Sequence, residues 1–189
     1  MKLLIVEGAI GSGKSTLANE LREKIKHTQL LSLSSIDTKN DFLREDDQYL
    51  WFHQSVLDFC RINLVNTNVI LARSFLSDYV YYRLGHKPNG YNGQLNYEIL
   101  CSRLKDILKF ADVEIIILAV NETQLKRRLN RDKFQLIEHT VEEALAQQEE
   151  YLKVAEDLKQ KGFKVRVIDN SSLMVGEVVK YVMGDEIDD

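Results

Sequence analysis

Apolar residues along this chain fall into two alternating patterns. Short unbroken runs suit buried strands, and between them apolar positions return every three or four residues, as on one face of a helix. The first run, Leu3-Leu4-Ile5-Val6, predicts a strand over about residues 2–7, and Leu17, Ala18, Leu21 and Ile25 behind it predict a helix to about residue 26. Further strands are expected at about 29–33, 69–72, 113–120 and 163–168, the run at 113–120 being the strongest and hence central. Helices are expected over roughly 46–64, 76–84 and 96–110. Asn121 with Gln124, and Thr140 with Glu143, have capping-box spacing and open two more helices, the second reaching about residue 161; a last helix covers about 173–183. The polar stretch 34–41 and the segment 85–93, which holds the only proline, read as loops. Strands alternating with helices predict an α/β fold of about five parallel strands with helices on both faces, three layers in one domain over residues 1–189.

Between the first strand and the first helix stands Gly8-Ala9-Ile10-Gly11-Ser12-Gly13-Lys14-Ser15, followed by Thr16. It fits G-x-x-x-x-G-K-[ST], the phosphate-binding P-loop, in the strand–loop–helix context that the motif requires. Its glycines let successive N–H groups turn inward around a phosphate, and the helix N-terminus adds partial positive charge. Lys14 reaches the outer phosphates and Ser15 is placed to hold Mg²⁺, so ATP and Mg²⁺ are the expected cofactors. A glycine-rich turn with a chance lysine is the competing reading.

Composition narrows the partners. The 44% apolar and 29% charged fractions are those of an ordinary globular chain. No apolar run reaches membrane-spanning length and no secretory signal is present, which predicts a cytoplasmic protein. Cys60 and Cys101 sit in apolar or helical patterns and read as buried thiols of a reducing compartment. The four acids of the tail 184–189 account for the whole formal charge of −4, leaving no electrostatic case for a duplex-binding groove.

A P-loop fixes a phosphate, not a reaction, and open parallel sheets bind ligands beyond the carboxyl ends of their strands. After the second strand comes Asp37, placed to take a proton from a hydroxyl or to help hold the metal; a loop acid or helix cap is the alternative. On the next helix Gln54 and Arg61 share a face with Trp51 one turn earlier, a set suited to a base edge and a bound ligand, or else to a half-buried helix with a surface arginine. Arg73 closes the third strand beside the expected phosphates, and Asp78 and Tyr81 follow on a helix rich in tyrosine, where Asp78 faces the ligand or caps the helix. After the fourth strand, Arg127 and Arg131 share one face of a basic helix. They suit a lid over about residues 127–139 that closes on a triphosphate, or a solvated charged face.

With these residues in hand the chain resembles the deoxyribonucleoside kinase and thymidylate kinase superfamily. Glu7 to Thr16 is similar to the family's P-loop, with Ala9 where asparagine is usual. Gln54 and Arg61-Ile62 resemble its base-reading glutamine and ligand-binding arginine. Arg73-Ser74 and Ser77 to Tyr81 resemble its acid-Arg-Ser signature with one residue fewer, and Glu122 to Arg127 with Arg131 its lid helix. The resemblance implies ATP-dependent phosphoryl transfer to a deoxynucleoside or its monophosphate, a deoxy pyrimidine foremost, and is compatible with a homodimer. Asp37 would be the base for a hydroxyl acceptor; a phosphate acceptor needs none. Two departures stand out. The family's metal-assisting acid before the arginine is here Ala72, and the stretch from Lys14 to Arg73 is short. They keep two alternatives open: a related kinase acting on a modified base or end within DNA or RNA, the only reading with a nucleic-acid partner, and a nucleotide-binding regulatory protein with little catalysis.

Overall fold

The computed structural model describes residues 1–33, 46–87, 90–131 and 139–184. Asp37, most of the expected lid and the acidic tail lie outside these residues. The strands are β1 (Lys2–Gly8), β2 (Thr28–Ser32), β3 (Asn68–Ala72), β4 (Asp112–Ala119) and β5 (Lys164–Asp169). The helices are α1 (Lys14–Lys24), α2 (Asp46–Asn63), α3 (Phe75–Arg83), α4 (Gly93–Leu108), α5 (Glu122–Arg131), α6 (Val141–Gln160) and α7 (Val175–Met183). Every described pairing is parallel, in the order β2-β3-β1-β4-β5, so β1 and the P-loop behind it stand at the centre of the sheet.

Alternation along the strands divides the apolar side chains between two layers. Leu3, Ile5, Leu71, Ile115 and Ile117 face the larger core under α2, α3, α4 and α6, whereas Leu4, Val6, Ile70, Ala72 and Ile116 face a smaller one under α1 and α7. Burial on both faces explains why these strands read as continuous apolar runs. Element ends follow local chemistry. Thr140 and Glu143 form the expected capping box, and Asn121 accepts from the Gln124 N–H at 2.9 Å. The expectation for α4 started three residues late. Asn92 is its N-cap, accepting from the Leu95 N–H at 3.3 Å, which draws Gly93 into the helix.

One charged group interrupts the smaller core. Glu114 is fully buried on β4 and pairs with Lys2 at 2.9 Å, Lys164 at 3.1 Å and the Arg166 guanidinium. Arg166 also donates to the carbonyls of Tyr181 and Val182, so the pair fastens the last turn of α7 to the sheet. Burial works to raise the Glu114 carboxyl, but contacts with Lys2 and Lys164 outweigh it and hold it below the ordinary 4.5. Glu114→Gln is expected to lose about 1–3 kcal/mol at neutral pH by leaving the cations unmatched. A depressed carboxylate contributes stability above its unfolded pKa and loses it as pH falls through the folded one. Thermal melts should therefore show wild type and variant converging as pH drops below 4.5.

Candidate active site at the carboxyl ends of the strands

The P-loop backbone requires its glycines. Gly8 has φ of 142°, and a Cβ there would lie 2.6 Å from the Leu118 carbonyl oxygen. Gly13 caps α1 in the left-handed region at φ 97°. Lys14 folds back over the loop it follows, its Nζ donating to the carbonyls of Gly8 and Ala9 at 2.7 Å each. Burial, with the nearby Arg73 charge, lowers its pKa to about 7 against the opposing pull of Glu7.

A cleft of about 320 Å³ opens on the α1 and α7 side of Lys14. Its lining combines the polar Lys14, Ser15, Thr16, Arg73 and Arg131 with the apolar Leu17, Leu173 and Val175. Several cations together with apolar side chains suit a phosphate chain carrying a flat base. The arginine expectation needs one correction. Leu125 anchors α5 in the core, and Arg128, three residues on, turns to the cleft, whereas Arg127 points to solvent. Arg128 donates to the carbonyls of Gly11 and Ser12 at 3.3 and 3.1 Å and to that of Asn170 at 2.7 Å. Asn170, which pattern reading passed over, donates to the Ser12 carbonyl at 2.8 Å. Together they brace the P-loop from above.

On the other side of Lys14 and Arg73 lies a narrow crevice of about 10 Å³ walled by Ser77, Tyr81, Gln147 and Tyr151. Gln147 accepts from the Ile10 N–H at 3.1 Å, tying α6 to the P-loop. Beneath the crevice Glu7 is fully buried, and among the described residues three hydroxyls serve it: Ser74 at 2.7 Å, Ser77 at 2.8 Å and Tyr151 at 3.1 Å. The sequence signal was a glutamate ending an apolar strand directly before the first P-loop glycine. Glu7 is not a simple stand-in for the acid missing at Ala72. Val6 and Ala72 are register partners facing α1, so Glu7, next in the strand, faces α3 and α6.

Other expected acceptor residues are not brought together. α2 runs antiparallel to the strands, so Arg61 in its last turn lies near the start of β3, at the opposite end of the sheet, in a cleft with Asp58, Arg103 and Asp106. Trp51 is 66% exposed and Gln54 is half-buried. Among the polar residues of α2, His53 turns inward and is bonded through Nε2 to Asp78 on α3. The other Asp78 oxygen accepts from Lys87 Nζ at 2.5 Å, and that ammonium lies 4.3 Å from the Tyr49 ring centroid and 5.5 Å from that of Tyr91. Asp78 is thus neither open to a ligand nor a helix cap. The cap of α3 is Ser74, which accepts from the Leu76 N–H at 3.2 Å.

The described residues hold no cluster of three or more His, Cys, Asp or Glu able to bind a metal unaided. Mg²⁺ is characteristically held by one or two protein groups, phosphate oxygens and water, and the exposed Ser15 hydroxyl at the cleft fits such a part. Among the described residues no helix is long and apolar enough to cross a membrane.

No protein-family model matches the chain, and no curated protein matches it in sequence. Solved structures do. The YorR protein of Bacillus subtilis, in complex with phosphorylated GDP, matches with a TM-score of 0.66 at 18% identity, over 96% of this chain and 94% of that one. Thymidylate kinase from Candida albicans matches with a TM-score of 0.65 at 17% identity, over 96% and 89%. Deoxyadenosine kinase from M. mycoides with bound dCTP matches with a TM-score of 0.60 at 20% identity, over 97% of each chain. The fold is that of the P-loop nucleoside and nucleotide kinases.

Proposed function

We propose that this chain is, over its whole length, a single kinase domain that transfers the γ-phosphoryl group of ATP to a deoxynucleoside or a deoxynucleoside monophosphate. The observation that carries this reading is the two-sided site. A cleft lined by cations and apolar side chains lies on one side of Lys14 and Arg73, and a hydroxyl-lined crevice lies on the other. In-line transfer needs the leaving and attacking oxygens on opposite sides of the phosphorus. With ATP along the P-loop, the γ-phosphate falls at Lys14 and Arg73, and the acceptor approaches from the crevice.

The residues then divide the work. P-loop N–H groups and Lys14 hold the β- and γ-phosphates, and Arg73 and Arg131 add positive charge where negative charge develops. Arg128 and Asn170 keep the loop in shape, and Leu173 and Val175 cover the base. Mg²⁺, held through Ser15 and the phosphates, would supply further charge neutralisation.

The deciding experiment measures ADP release by the full chain with ATP, Mg²⁺ and a panel of nucleosides, monophosphates and oligonucleotides, with products identified by mass. Turnover dependent on a nucleoside or its monophosphate supports the proposal. Turnover with oligonucleotides alone would replace it with the nucleic-acid reading, and ATP binding without any acceptor-dependent turnover would favour a regulatory protein.

Arg73 offers a second check. It has φ of 66°, the left-handed region, which costs a residue with a side chain about 1–2 kcal/mol. Arg73→Gly removes that strain together with the guanidinium. It should melt within a few degrees of wild type while turnover falls by about 10²-fold. A large drop in melting temperature would show that the arginine serves the fold instead.

A further inference from the structure

We propose that Glu7 is a positioning residue that takes up the acceptor's proton through the hydroxyl of Ser77, and that the acceptor group is therefore a hydroxyl and not a phosphate. The inference rests on the kinase reading above and deepens it. Ser77 and Tyr151 line the crevice where the attacking oxygen must lie, and both hydroxyls reach the same Glu7 oxygen, Oε2. The two hydroxyls also lie 2.9 Å apart. Ser74 is committed elsewhere, donating to Oε1 while capping α3. An ionised carboxylate is an acceptor only, and hydroxyl donors converging on Glu7 are what that form requires.

Charge around Glu7 supports the role. Lys14 from α1 and Tyr151 of α6 face the group, and Arg73 behind β3 and Tyr81 of α3 act on Tyr151 from the same crevice wall. Burial, the largest influence, raises the Glu7 carboxyl above the ordinary 4.5 against its hydroxyl partners and Lys14. A proton acceptor works best when its affinity approaches the working pH.

The step balances. The acceptor oxygen bonds to the γ-phosphorus as the bond from that phosphorus to the β–γ bridging oxygen breaks, and ADP leaves with the electron pair. The acceptor's proton passes to Ser77 Oγ, and the proton Ser77 carried passes to Glu7. Once product departs, Glu7 returns the proton through the same hydroxyl to water. A phosphate acceptor already presents an anionic oxygen and leaves this chain nothing to do.

The test is steady-state kinetics over about pH 5 to 9 on the full chain and on Glu7→Gln, Ser77→Ala and Ser77→Thr, with nucleosides and monophosphates compared. Wild type should use nucleosides, with kcat falling on the acid side. In Glu7→Gln and Ser77→Ala kcat should fall by about 10²-fold, the acid limb should vanish, and KM for ATP should stay nearly constant. Ser77→Thr, which keeps the hydroxyl, should restore the limb. If Glu7→Gln fails to fold, the two Ser77 variants carry the same comparison. Turnover with monophosphates alone, or an acid limb that survives in Ser77→Ala, overturns the relay and leaves the kinase reading standing. Wild type inactive with every acceptor would instead remove the kinase reading itself.

Discussion

Lys14→Ala is expected to lower phosphoryl transfer by about 10²-fold or more, on the order of 3 kcal/mol of transition-state stabilisation. Lys14 makes two hydrogen bonds of 2.7 Å, both to P-loop carbonyls, so its loss should leave the sheet and both cores in place. Single-turnover assays with saturating ATP would measure the rate, and circular dichroism with thermal melts would establish that the variant is folded. Near-normal turnover in a folded Lys14→Ala variant would take the P-loop out of the reaction.

The second large effect concerns stability. Asp78→Ala removes the carboxylate that matches the Lys87 ammonium, whose side chain is only 2% exposed, and that also bonds His53. An ammonium left buried without its partner costs about 3–5 kcal/mol. For a chain of this size that corresponds to a fall in melting temperature of roughly 10 °C. Asp78→Ala with Lys87→Met should recover most of the loss, because the stranded charge goes with the lysine. A double variant as unstable as the single one would assign the cost to packing. The acid dependence has a definite sign. Burial disfavours the Asp78 charge, yet His53 and then Lys87 outweigh it and depress the carboxyl below the ordinary 3.8. Its contribution is thus present above that value and is lost as pH falls through the depressed one.

The alternation of strands and helices was legible because strands buried on both faces must be apolar throughout. The P-loop was legible because its backbone angles admit few residues besides glycine. Placement of side chains in space was less so. Arg61 does lie seven residues along the helix from Gln54, but seven residues rise about 10 Å, and the helix runs away from the carboxyl ends of the strands. Arg128, not Arg127, meets the P-loop because the buried Leu125 sets the phase of α5, which a count of basic residues does not reveal. His53, Asp78 and Lys87 meet from α2, α3 and the segment behind it, a juxtaposition that no local spacing encodes. Glu7 was visible as a polar residue in an apolar run, but its hydroxyl partners lie 67, 70 and 144 residues away along the chain.

The two apolar cores have a consequence for how such a protein can change its chemistry. The crevice stands on helices rooted in the larger core, while the wider cleft borders α1 and α7 over the smaller one, with the sheet as a partition. Contacts confined to one side couple weakly to distant contacts on the other. On the proposed reading, a lineage, or an engineer, can therefore reshape the acceptor side by repacking α3 and α6 while the groups proposed to hold the triphosphate stay untouched. Lys14 and Arg73, which border both sides, are the two positions where that independence ends.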